Sequence, residues 1–235
     1  MSDKPRDRIL RAAVRLYSAE GIQAVGVNRV LAEADVAPNT LYRQFHSKDE
    51  LVAAALERWS GDWLGWLCDR MDRGGDDLRA RLDGLWNALA DWFASEGFRG
   101  SFVASAAAEL RGNPDHPAHA VIAEHRAAMR RTLEGLVELG ARDPGGLTAA
   151  RDPGAVAGQL LVLIDGAIAI AMLDRRAEAA ARAGRLAAML FGSGVEADAA
   201  TLAPGAAFCR GRAAGPAGAT VAARTAALTP PRHRP

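Results

Sequence analysis

Cysteine is nearly missing from this chain: Cys68 and Cys209 are the only two, far apart and each without a neighbour of its kind. That usage excludes a disulfide framework and a cysteine zinc site, and it fits a reducing cytoplasm, where we expect the protein to work. A strong charge of either sign is missing too. The 29 Lys and Arg against 28 Asp and Glu leave a net charge of +1, which excludes non-specific coating of nucleic acid. Any DNA binding has to come from a local arrangement of groups. No Gly-rich phosphate loop or Walker pattern occurs, and no cysteine and histidine pair stands in a recognisable catalytic context. With the carboxylates scattered over helix surfaces, the expectation is a protein that is not an enzyme and carries no cofactor. The first residues, MSDKPRDRIL, are polar where a signal peptide needs an apolar core. The longest apolar run, Ala155 to Met172, is interrupted by Gln159 and Asp165 and reads as a buried helix rather than a membrane span. Strand patterning is lacking throughout.

What is present is helical period. Pro5 suits a first helical position, Ile9, Ala13, Leu16 and Tyr17 recur on one face, and Gly21 offers a stop. Val27, Val30, Leu31 and Ala34 make a shorter second stripe. Pro38 opens a third element, expected to reach Phe45, in which Leu41 and Phe45 sit four apart. Ser47 with Glu50 three residues on is a capping box, the serine oxygen taking the Glu50 N–H and the glutamate reaching back to Ser47. From there Val52, Ala55, Leu56, Trp59, Trp63, Trp66 and Leu67 keep helical spacing until Gly74 and Gly75. Five further helices are expected: one marked by Leu78 to Trp92, then Ser101 to Arg111, Val121 to Leu136, Pro153 to Leu173 and Arg175 to Phe191.

The fold class is therefore all-α. A three-helix helix-turn-helix head (1–50) is joined by a long helix to a helical-bundle body (51–191). A Gly, Ala, Pro and Arg-rich tail (192–235) lacks the apolar content to offset its ordering entropy and is expected to be mostly disordered.

The second and third helices, with a turn at about 35 to 37, make a helix-turn-helix whose later helix can lie in a major groove. Leu41 and Phe45 anchor that short helix while its free face carries Asn39, Thr40, Tyr42 and Arg43. Asn39 and Thr40 can reach base edges or phosphates, Arg43 can fork onto guanine, and the Tyr42 hydroxyl and Lys48 suit phosphates. The stretch Val25 to Leu51, with LAEADVAPNTLYRQFHSKDEL at its centre, resembles the DNA-binding domain of the tetracycline-repressor (TetR) family of bacterial transcriptional regulators. The motif that carries the likeness is Thr40-Leu41-Tyr42, two polar residues, Phe45, then Ser47-Lys48. Nine helices in this order extend the pattern over about residues 6 to 191.

The resemblance implies a homodimer on palindromic double-stranded operator DNA, usually a repressor, released when a small-molecule effector fills the body. Where the family usually opens helix two with a phosphate-contacting hydroxyl, this chain has Val25-Gly26-Val27. Asn28 and Arg29 stand beside the gap as substitutes. For the ligand site the candidates are Trp63, Trp66, Trp86, Phe102, His116 and His125, and for the subunit contact Leu161, Ile164, Ile168 and Met172, with Gly166 and nearby alanines permitting close approach. His116, His119, His125 and Glu109 can be drawn as a zinc set, but the spacing is not diagnostic and no metal is expected. Control by a protein partner instead of a small molecule is the alternative.

Overall fold

The computed structural model describes residues 4–141 and 152–190, and the chain there forms nine α-helices and no strand. They are α1 (Pro5–Glu20), α2 (Val27–Ala34), α3 (Pro38–Tyr42), α4 (Lys48–Asp72), α5 (Leu78–Phe93), α6 (Phe102–Glu109), α7 (Ala118–Ala141), α8 (Pro153–Asp174) and α9 (Glu178–Leu190). The expected tail, 192–235, and with it Cys209, lies outside the described residues.

Local chemistry sets most of the boundaries. Side-chain oxygens of Asp77, Ser101 and Asp152 accept the N–H groups of Ala80, Ala104 and Gly154 at 2.8, 3.3 and 3.1 Å, starting α5, α6 and α8. His116 does the same for α7, its Nδ1 accepting the Ala118 N–H at 3.1 Å. Expected ends move at α6, which closes at Glu109 rather than Arg111, and at α3 and α9. Helix α3 stops at Tyr42, and Arg43 to Phe45 close it with turn hydrogen bonds back to Asn39 and Leu41. Helix α9 begins at Glu178 because Arg175, at φ +53°, turns the chain left-handed after α8.

The described chain divides into two compact units, the first comprising 4–66 and 99–127, the second 67–98, 128–141 and 152–190. The first unit packs α1, α2 and α3 around Ile9, Ala13, Leu16, Tyr17, Val25, Val30, Leu41 and Phe45, and α6 also lies against α1. In the second, α9 packs on both α8 and α5. Two glycines permit the close approaches there. A Cβ at Gly84 would stand 2.6 Å from the Arg70 carbonyl oxygen, and one at Gly184 would stand 3.1 Å from Cγ of Trp86. A side chain at Gly84 would push against backbone and force a shift there, whereas one at Gly184 would require the Trp86 ring to give way slightly.

Among the described helices, α8 is long and apolar enough to cross a membrane by length and composition. Its apolar residues divide between two sides. Val156, Leu160, Leu161, Ile164, Ile168 and Ala171 are buried within the unit, whereas Val162, Ile170, Met172 and Leu173 are exposed.

Candidate nucleic-acid interface

Helix α3 has only five residues, too few to persist alone. Leu41 and Phe45 hold it by burial, and the Arg6 guanidinium lies 4.5 Å above the Phe45 ring while donating to the Gln44 carbonyl at 3.3 Å. Between α2 and α3 the chain reverses at Asp35, whose φ of +51° is left-handed, a conformation that aspartate tolerates better than most residues. The free face that results carries Asn39, Tyr42 and Arg43, all exposed, with Thr40 half-buried beside them. Tyr42 is 57% exposed, far more than an aromatic ring needs for a core role.

Of the other three residues expected at DNA, Lys48 and Arg29 already have protein partners. Lys48 donates from Nζ to the Ile22 carbonyl at 2.8 Å, tying the start of α4 to the loop between α1 and α2. Its ammonium keeps two further protons for an anion. Arg29 forks onto the carboxylate of Glu20, Nη2 donating to Oε1 at 2.7 Å and Nη1 to Oε2. Asn28 stays exposed at the start of α2, where Gly26 supplies no side-chain cap.

The capping box at α4 forms, shifted by one residue on its return limb. Ser47 Oγ accepts the Glu50 N–H at 3.1 Å, but the Glu50 carboxylate reaches the N–H of His46 at 2.8 Å and its Nδ1 at 2.9 Å, not Ser47. These bonds, the backbone one foremost, hold the Glu50 carboxyl below its ordinary 4.5. A depressed folded value adds stability above the unfolded pKa, and that stability is lost as pH falls through the folded one. Glu50→Gln should therefore melt below the parent at about pH 7 and converge with it in acid. Paired thermal melts down to about pH 3 check the convergence; a constant gap would assign the effect to packing.

In the same unit a buried aromatic cluster surrounds one polar pair. Ser60 Oγ and His125 Nδ1 lie 2.7 Å apart, both residues buried. Trp59 stacks on Trp63 at 5.9 Å, both rings lie 5.9 Å from His125, Phe102 meets Trp59 edge-on at 6.2 Å, and Trp66 follows Trp63 at 6.4 Å. Four of the six ligand candidates thus come together. Trp86 belongs to the second unit, against Gly184. His116 is buried elsewhere, its Nε2 3.4 Å from the Asp49 carboxylate. Of the side chains drawn as a zinc set, His119 faces the Asn113 carbonyl at 2.9 Å, and Glu109 accepts the Gln23 N–H at 2.9 Å. Among the described residues no three potential metal ligands converge.

Sequence reasoning passed over Ser60, although a signal was there. Ser60 falls on the stripe Leu56, Trp63, Leu67, so a hydroxyl occupies an apolar position and requires a partner. The partners of Arg29 and His116, Glu20 and Asp49, left no comparable sign.

The subunit-contact candidates divide by side. Leu161, Ile164 and Ile168 are buried within their own chain, where α8 meets α9 and α5. Only Met172 of the four reaches the surface. The exposed large apolar side chains here are Val162 (71% exposed), Ile170, Met172 and Leu173 (76%) of α8, and Leu186 and Met189 (74%) of α9.

Comparison with known proteins bears on both units. The profile of the family described as "Bacterial regulatory proteins, tetR family" matches residues 9–55, and that of "Tetracyclin repressor-like, C-terminal domain" matches 79–187. Over 53 residues, 23% of the chain, it is 49% identical to the transcriptional repressor KstR of Rhodococcus jostii, spanning about a quarter (25%) of that relative's length. Over 167 residues it is 27% identical to the transcriptional activator FasR of Mycolicibacterium smegmatis, covering 70% of this chain and 71% of the relative. A solved TetR-family transcriptional regulator from Streptomyces coelicolor superposes with a TM-score of 0.68 at 28% identity, covering 80% of this chain and 94% of that one.

Proposed function

Because this chain belongs to the tetR family of bacterial regulatory proteins, we propose that it is a sequence-specific transcriptional regulator, acting as a homodimer on palindromic operator DNA in the cytoplasm. The observation that carries this reading is the outward face of α3: Asn39, Tyr42 and Arg43 are exposed while Leu41 and Phe45 fix the helix from behind. An exposed ring and a guanidinium on a helix of that length suit a major groove, where polar side chains read base edges and phosphates set the register. Repression is the sign we assign, in line with the head's likeness to KstR; the activator FasR among the relatives makes a reporter assay the arbiter of sign.

A small molecule is the proposed effector, recognised by the aromatic rings around the Ser60–His125 pair. That pair supplies a fixed polar anchor in an otherwise apolar setting, the composition that small-molecule sites favour. The effector must bind one arrangement of the paired heads better than the other, so operator and effector weaken each other reciprocally.

The experiment is selection from random duplexes with the purified full chain. An inverted repeat with half-sites centred roughly 34 Å apart, or a small multiple of that, is the expected product. Recovery of no common sequence would end the reading.

A further inference from the structure

Arg29 stands at the third position of α2, whose N-terminus has no side-chain cap and whose first turn closes through the backbone, the Arg29 N–H donating to the Gly26 carbonyl at 3.1 Å. Its side chain is 55% exposed, yet the guanidinium is occupied by both oxygens of Glu20. Glu20 is the last residue of α1 and is itself partly exposed. Planar, bidentate pairing of this kind is also how arginine takes a phosphate. A second ion pair, Arg15 with Glu33, joins the same two helices, and Ile22, Val25, Val30 and Leu31 are buried beside them. The packing of α2 on α1 therefore does not depend on Glu20. By contrast Arg43, at the C-terminal cap of α3, has no ion pair among the described residues.

We propose that Glu20 is a built-in phosphate mimic that holds the Arg29 fork in the free protein and is displaced by an operator phosphate, so that it sets the affinity of the head for DNA. This rests on the DNA-binding reading above. Binding exchanges one bidentate anion for another, leaving the Glu20 carboxylate near the DNA backbone, where it opposes the phosphate charge. An acidic side chain that no one would place among DNA contacts thus becomes a residue that restrains binding. The restraint falls on all sequences alike, because a phosphate contact carries no base information.

The test uses the selected operator and a random duplex of equal length. Glu20→Gln should bind both more tightly, by about two- to fivefold per head at fixed salt, the range spanned by exposed ion pairs. It should also steepen the log–log salt dependence by up to about one per head. Arg29→Ala placed on top should cancel the gain, whereas Glu33→Gln, the same charge change on the neighbouring pair, should give less than half of it. Glu20→Asp, which keeps the charge but shortens the reach, should fall between the parent and Glu20→Gln and covers the case in which Glu20→Gln folds poorly. If Glu20→Gln melts like the parent yet binds no more tightly, or if its gain survives undiminished in the Arg29→Ala background, the exchange does not occur. A parent protein that selects no operator would instead overturn the DNA-binding reading itself, so the two failures are distinguishable.

Discussion

Gly166→Arg is expected to turn the dimer into a folded monomer and to weaken operator binding by about 10²- to 10⁴-fold, the factor lost when two linked sites bind independently. Gly166 sits on the outer side of α8 among Val162, Ile170 and Leu173, and a Cβ there meets nothing within 4 Å. Within one chain the substitution is harmless, and it removes a glycine from a helix interior, which is worth up to about 1 kcal/mol of helix propensity. In a two-fold contact between α8 and α9 pairs it would bury an unpaired guanidinium at the closest approach of the helices. Ile164→Ala makes the contrast. That side chain is buried within its own chain, so its loss should cost about 2 to 5 kcal/mol of folding stability while leaving the subunit contact in place. Light scattering for mass and thermal melting for stability separate the two variants. A Gly166→Arg protein that stays dimeric with parental affinity would move the contact to another surface.

Arg43→Ala is expected to cost about 1 to 3 kcal/mol of affinity for the selected operator, a factor of about 5 to 150, and to relax base preference at one position in each half-site. The reason is geometric. Arg43 lies just beyond α3, exposed and without an intramolecular ion pair among the described residues, so no internal partner replaces the lost contact. Tyr42→Phe removes only a hydroxyl and should weaken binding to all sequences alike. Competition binding against a library of single-base operator variants reads both effects. Uniform loss in Arg43→Ala would make it a phosphate contact, and no loss in either variant would take α3 out of the groove.

Much of this was legible without coordinates, and particular residues say why. The stripe Ile9, Ala13, Leu16, Tyr17 and the anchors Leu41 and Phe45 encode helices and their inner faces, because the period of an α-helix is a local property. The cap at Ser47 was visible for the same reason, reaching only three residues along the chain. The return limb of the capping box was misjudged by a single residue: Glu50 prefers the His46 N–H, which the imidazole of the same residue supplements. The motif around Thr40-Leu41-Tyr42 was likewise confined to one short stretch, so the residues of the free face beside Leu41 could be named at once.

The amino-acid sequence by itself determined the helices, their order, the helix-turn-helix and the residues on the free side of α3, since each follows from contacts three or four residues apart. Only the tertiary structure decided what those residues are engaged with. Glu20 reaches Arg29 across a break between helices, Lys48 closes on Ile22 over 26 residues, and His125 finds Ser60 over 65. Tertiary structure also decided which side of α8 is covered. A helix apolar on both sides carries no local mark of which one its own chain will bury, and the packing of elements including α9 and α5 assigned Leu161, Ile164 and Ile168 to the interior, leaving Val162, Ile170 and Leu173 outside.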